Sequence, residues 1–231
     1  MKIHRFIDQN FDLNNKELEI TGEIAHQVIK VLKFEIGEKI ELSDGKGAVG
    51  IGKVKNLSKN TVLVEIEKIE KLEENKKTTL FCAVLKKENF ELVVQKATEC
   101  GIKKIVPIIT DRTIKTGLKL DRLEKIAKEA SEQSGRSIVP EISEPVSFEK
   151  SLELINKTDL NILFDISGEK FSEINLNDFE KINIFIGPEG GWTDNEIKKM
   201  KNLNFKIASL GKLTLRAETA AIVSSFLVSN N

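Results

Sequence analysis

The chain has little of what most catalytic chemistry uses. Its 231 residues hold two histidines, His4 and His26, and two cysteines, Cys82 and Cys100. These four form no metal-ligand spacing, so no metal centre is expected. There is no Cys-x-x-Cys, no His-x-x-x-His and no Gly-x-Ser-x-Gly elbow, and both histidines sit near the N-terminus, which leaves hydrolase triads without a base. A phosphate-cradling Gly-x-x-x-x-Gly-Lys-Ser/Thr loop is missing. Gly187, Gly190 and Gly191 do not match the dinucleotide pattern Gly-x-Gly-x-x-Gly, and they fall late in the chain. No apolar run approaches the ~20 residues that span a bilayer. The segment Met1-Lys2-Ile3-His4-Arg5-Phe6 lacks the apolar stretch and cleavage site of a secretory signal. Cys82, in a strand, and Cys100, in a helix, read as buried free thiols of a reducing compartment. A cytoplasmic protein with no membrane contact is expected.

An excess of charge is missing too, with 36 basic residues against 36 acidic. The distribution is less even than the total. Residues 73–140 hold 14 basic against 10 acidic groups, and residues 141–231 hold 10 against 14. Phosphate binding needs only a local cluster of Lys and Arg. Ordinary solvated charge is the alternative reading of the same counts.

What is present reads as two domains. Residues 1–72 are a small, mostly β unit: strands over Lys2–Ile7 and Leu18–Thr21, a helix from Thr21 over Gly22–Phe34, a hairpin from Lys39 to Val54 turning at Asp44-Gly45, and an alternating strand from Thr61 to Ile69. Several short strands with one helix suit a little barrel. The charged stretch Lys71–Lys77 reads as a linker. From residue 73 to 231 strands alternate with helices, which predicts a mostly parallel α/β sheet. Its strands are Thr78–Leu85, Lys104–Ile109, Asp159–Phe164, Lys181–Ile186 and Phe205–Leu210. Gly101 stops the first helix, Asp121 opens a second as a capping box, Ser147–Ile155 is a third, and Thr193-Asp194-Asn195-Glu196 caps a fourth. Ala217–Val228 is the last helix.

Two strand ends stand out. Ile186 runs into Gly187-Pro188-Glu189-Gly190-Gly191-Trp192, and Leu210 into Gly211, ahead of Leu215-Arg216-Ala217-Glu218-Thr219-Ala220. They are expected side by side, where ligands of such sheets bind outside the carboxyl ends of strands. Glycines there let a backbone approach a ligand closely, which suits a neutral, planar group such as adenine. A tight turn into the following helix accounts for the same residues.

These motifs closely resemble the 16S rRNA uracil-N3 methyltransferase family, of the SPOUT class of S-adenosylmethionine-dependent enzymes. Gln95-Lys96-Ala97-Thr98-Glu99-Cys100-Gly101 and Glu129-Ala130-Ser131-Glu132-Gln133-Ser134-Gly135-Arg136 with Val139-Pro140 add to the likeness, as do His26, Val31-Leu32 and Asp44-Gly45-Lys46-Gly47. Three departures stand against it: Trp192 for a smaller aromatic, Lys212-Leu213-Thr214 for a Pro-Arg-aliphatic run, and Lys33 for an arginine.

The resemblance implies a SPOUT trefoil-knotted parallel-sheet domain preceded by a small PUA-like β-barrel domain, and a homodimer acting on 16S rRNA of the small ribosomal subunit. It places S-adenosyl-L-methionine among loops after Phe164, Ile186 and Leu210, against Gly187, Pro188, Gly190, Gly191, Gly211, Leu215, Thr219 and Ala220. Arg216 is expected to stabilise the developing negative charge on a flipped uracil. Glu189 or Glu218 either accepts the N3 proton or orients Arg216. The expected RNA contacts are Arg5, Lys33, Lys86, Lys87, Arg112, Lys115, Lys119, Arg122 and Arg136. Another RNA (tRNA or 23S rRNA) as substrate, or a non-catalytic RNA-binding role, is the alternative.

Overall fold

Period-two alternation builds the N-terminal unit. The computed structural model describes residues 3–72, 77–114 and 117–230. Five strands, β1 (His4–Ile7), β2 (Glu17–Ile20), β3 (Lys39–Ser43), β4 (Ala48–Leu57) and β5 (Val62–Lys71), form one sheet of order β1-β3-β4-β5-β2. Ile40 and Leu42 on β3, and Val62 and Val64 on β5, point inward and are fully buried, as alternating apolar positions should be. The β3–β4 turn is fixed by Asp44, whose carboxylate accepts from the Lys46 and Ala48 amides at 2.7 and 3.0 Å. Gly45 and Gly47 supply positive φ angles of 73° and 112° there. Residues 131–139 belong to this unit rather than to the sheet domain around them. The Ile7 amide donates to Glu132 at 2.9 Å, and the Val139 amide to the Gly45 carbonyl at 3.0 Å.

The helix expected over Gly22–Phe34 is not a continuous α-helix. α1 (Gly22–His26) passes into a π-helical turn over Gln27–Val31. The Leu32 amide reaches back five residues to the Gln27 carbonyl at 2.9 Å, and Lys33 then ends the element at φ 54°. Val28 is buried on the core face while Val31 is 63% exposed, so the wider turn rotates an apolar residue outward. Thr21 occupies the cap position, yet its hydroxyl makes no capping bond.

The second unit follows the other rhythm. β6 (Lys77–Ala83), β7 (Lys104–Ile109), β8 (Glu141–Ile142), β9 (Val146–Ser147), β10 (Leu160–Lys170), β11 (Lys181–Ile186) and β12 (Lys206–Ser209) make a seven-stranded sheet. The order is β12-β10-β11-β6-β7-β8, β9 also pairs with β7, and every pairing is parallel. Strands buried on both faces need near-continuous apolar sequence, and Leu80 to Leu85 are all buried. The helices are α2 (Lys87–Glu99), α3 (Leu120–Ser134), α4 (Phe148–Glu153), α5 (Asp194–Asn202) and α6 (Ala217–Ser229). Phe81 stacks on Phe185 at 4.3 Å, and Phe205 meets Phe185 edge-on at 5.0 Å. Each such buried ring contributes about 1.5–3 kcal/mol.

Some boundaries differ from expectation. α3 begins at Leu120, so Asp121 lies inside it rather than capping it. Gly101, at φ 101°, terminates α2 as predicted, and its amide reaches the Thr98 carbonyl at 3.1 Å. Cys82 is fully buried, whereas Cys100, at the end of α2, is only partly covered; both are free thiols. Lys2, Lys115 and most of the Lys71–Lys77 stretch lie outside the described residues; β5 ends at Lys71 and β6 starts at Lys77.

Candidate functional site

The two glycine-bearing strand ends are not neighbours: β10 lies between β11 and β12. The crossovers insert the earlier strand there, so three carboxyl ends meet instead of two. β10 pairs with β12 from Ile162–Lys206 to Phe164–Ala208, and the same Ala208 then pairs with Glu169. Asp165 to Gly168 therefore bulge out of a strand that runs on to Lys170, where a loop after Phe164 was expected. Asp165 closes the bulge by accepting from the Ser167 amide and hydroxyl at 2.9 and 2.6 Å. Gly168 is required: a Cβ there would lie 2.6 Å from the Ala208 nitrogen and the Ile207 carbonyl.

A cavity of about 760 Å³ opens at these ends. Phe164 and Asp165 of β10 and its bulge, Ile186 to Trp192 after β11, and Ala208 to Gly211 after β12 form its walls. Leu215 to Glu218 and Ala220 close it from the α6 side, and Lys86 and Asn89 from the start of α2. Of the residues expected to hold a methyl donor, all but Thr219 line the cavity. Thr219 is on α6 one position past Glu218, where helical rotation turns it away. Asn89, Asp165, Ile166 and Ser209 also line it, with no spacing signal to reveal them.

Much of the wall is main chain held in place by side chains behind it. Trp192 is buried, and its indole N–H donates to the Phe164 carbonyl at 3.3 Å, tying the β11 loop to β10. A Cβ on Gly187 would meet the indole at 3.0 Å, so the ring and the glycine are a matched pair. Arg112, expected to contact RNA, donates to the carbonyls of Gly190 at 2.7 Å and Trp192 at 3.2 Å. Beside it the Asp111 carboxylate accepts from the Thr193 hydroxyl at 3.2 Å. α5 begins with the predicted capping box. Glu196, almost fully buried, accepts from the Thr193 amide at 2.8 Å and from the Asp111 amide at 3.1 Å. The β7 loop thus clamps the glycine loop through an arginine and two carboxylates.

The charged residues divide by position. Arg216, at the N-cap of α6, has an 87% exposed side chain 4.0 Å from Glu218, which is 11% exposed. A carboxylate in the first turn of a helix is also stabilised by the helix dipole, which accounts for Glu218 without chemistry. Glu189 accepts from the Lys86 amide at 3.3 Å, so it caps α2, whose own N-cap side chain makes no bond. Cys82 lies beneath both acids: burial pushes its thiol far up, and the charges of Glu189 and Glu218 add to the shift. A thiol held neutral and fully buried is not a nucleophile.

The other expected RNA contacts are scattered in role. Lys86 lies at the cavity rim and Lys87 opens α2, both exposed. Arg122 forks onto Glu91 at 2.6 and 2.7 Å, which lowers the Glu91 carboxyl chiefly through that hydrogen bond. Arg5 is mostly buried against Glu41 in the N-terminal unit, where Lys33 is exposed. Arg136 is partly buried, and its amide donates to the Ser131 carbonyl at 3.0 Å. Among the described residues no cluster of His, Cys, Asp and Glu is suited to a metal. No helix among them is long and apolar enough to cross a membrane.

Comparison with known proteins matches both units. Residues 72–229 fit the model of an RNA methyltransferase domain, and residues 20–67 that of an RNA methyltransferase PUA domain. A ribosomal RNA small subunit methyltransferase E of Rickettsia conorii is 30% identical, over 97% of this chain and 94% of its own. The protein of the same name from Bacillus subtilis is 28% identical over 91% and 88%. A ribosomal RNA small subunit methyltransferase E from Neisseria gonorrhoeae, solved bound to S-adenosyl methionine, superposes with a TM-score of 0.89. It is 27% identical, over 97% of this chain and 95% of that one.

Proposed function

The chain belongs to the RNA methyltransferase family, and from that premise we propose that it methylates N3 of a uridine in 16S rRNA of the small ribosomal subunit, with S-adenosylmethionine as donor. The observation that carries this reading is the cavity at the ends of β10, β11 and β12, in a fold shared with a relative solved with that donor. The residues present fit such a ligand. Phe164, Ile186, Leu210 and Leu215 offer apolar surface, while a Cβ on Gly191 or Gly211 would meet nothing within 4 Å, so the main chain is open to contact there. Glu189 and Glu218 put negative charge beside a donor that carries positive charge at sulfur.

In the reaction the donor supplies a methyl group on a positively charged sulfur with a neutral thioether as leaving group. The N3–H bond of uracil breaks, N3–C forms, and the S–C bond to the methyl breaks; one proton is released. Arg216 at the rim donates to a uracil carbonyl and stabilises the charge that develops on the imide. The loops hold the two reacting atoms in line, which removes much of the entropic cost. Glu218, close to Arg216 and mostly buried, either accepts the proton or orients the guanidinium. Glu189, engaged by the α2 amide, orients its loop. The same reading carries a trefoil knot, a homodimer and a cytoplasmic location.

Small subunits lacking the modification, incubated with the protein and labelled donor, provide the test. The expected product is 3-methyluridine in 16S rRNA, with donor binding visible by calorimetry. Label confined to tRNA or 23S rRNA would replace the substrate, and absence of donor binding would overturn the reading.

A further inference from the structure

The N-terminal unit contains a second cavity, of about 330 Å³, that plays no part in the donor site. Leu32 and Glu132-Gln133-Ser134-Gly135, from two segments singled out in the sequence, meet at it. Phe6 and Leu32 give it apolar wall. Gln27, in the π-helical turn, and Gln133 bring exposed amides with no hydrogen-bond partner among the described residues. π-helical turns are frequent at functional sites. Arg5 lies at its base with its side chain only 16% exposed. One nitrogen pairs with Glu41, while Nε and Nη1 are buried without a partner. Both atoms are sealed from solvent, so neither faces the cavity. Gly135, at φ 83°, lets the guanidinium come up against the main chain; a Cβ there would be 3.1 Å from Nη1.

The charge balance selects the ligand. Glu41 neutralises Arg5, so the pair brings no net positive charge to the cavity. A phosphate is therefore disfavoured. A flat, neutral group with apolar faces and donor and acceptor edges fits, in a volume at the small end of ligand pockets. We infer that this cavity receives one unpaired nucleobase of the substrate RNA, a nucleotide other than the one methylated. Sequence-specific RNA recognition works mostly by such splayed bases, hydrogen-bonded at their edges.

The inference rests on the RNA methylation reading, and its test separates the two. The double variant Gln27→Ala/Gln133→Ala removes both exposed amides. Its KM is measured on small subunits reconstituted with 16S rRNA carrying single abasic sites at unpaired nucleotides around the target. An abasic site keeps the phosphate and deletes the base. On intact RNA the variant should raise KM about tenfold, the equivalent of ~1.4 kcal/mol, with kcat, donor affinity and thermal midpoint unchanged. At one position the abasic site should weaken the wild type by a similar factor and the variant no further. An unchanged KM, or losses that add at every position, overturns the inference while methylation by the wild type leaves the donor reading standing. No methylation by the wild type overturns both.

Discussion

At the scale of single residues, the site separates groups that face the cavity from groups that hold it. Arg216 is the one strongly exposed cation on the α6 side of the rim. Arg216→Ala should slow single-turnover methyl transfer by about 10²–10³-fold, the usual loss for one charge-stabilising donor, with donor affinity unchanged. A near-normal rate at normal affinity would remove it from the chemistry. Trp192 is the only tryptophan in the chain and lies against the cavity wall. Its emission should therefore change as S-adenosylmethionine is titrated in, at the concentration where calorimetry reports binding. A flat signal through saturation would place the ligand away from Gly187 and Trp192. The indole's bond to Phe164 was not legible in the sequence, since the partners are 28 residues apart. The glycines themselves were legible, because their spacing at a strand end is a local signal.

At the scale of elements, what the sequence revealed and what it concealed divide along the same line. Apolar runs located every long strand of the sheet, and Thr193 with Glu196 marked the start of α5. Those signals are local. The Asp165–Gly168 bulge was hidden because β12 defines it, and β12 is some forty residues away along the chain. The π-helical turn was hidden because its apolar spacing, Ile24, Val28 and Val31, reads as an ordinary helix. The bonds of Arg112 were hidden for a similar reason: a cation in a loop reads as a phosphate contact, and the Gly190 and Trp192 carbonyls it meets lie 78 and 80 residues away along the chain. The clamp makes two predictions. Glu196→Ala, which uncaps α5 and frees the Asp111 amide, should cost about 1–3 kcal/mol in denaturant unfolding; a loss within 0.3 kcal/mol or so would deny the clamp a structural role. Arg112→Ala should raise the KM for donor by about tenfold and leave the salt dependence of RNA binding as it was, whereas a changed salt slope would return Arg112 to the RNA-contacting set.

At the scale of the whole molecule, a net charge of zero and an RNA substrate are compatible because binding follows local charge. With the Arg112 and Arg122 guanidiniums bonded to protein groups, Lys33, Lys86, Lys87 and Lys119 are the exposed lysines left among the described members of the expected set. Replacing all four with alanine should reduce the slope of log affinity against log salt by up to about 3–4, read by filter binding across a salt series. An unchanged slope would class them as ordinary solvated surface. At 27% identity and a TM-score of 0.89, the path of the backbone is shared with that relative while most side chains differ. Where walls are built of main chain, most side chains behind them are free to change so long as the path of the backbone is kept. Drift is then slow only at a few positions: glycines that no other residue can replace, and the partners that pin them. A lineage can rewrite most of its sequence and keep its ligand, but it cannot easily acquire a new one by point substitution.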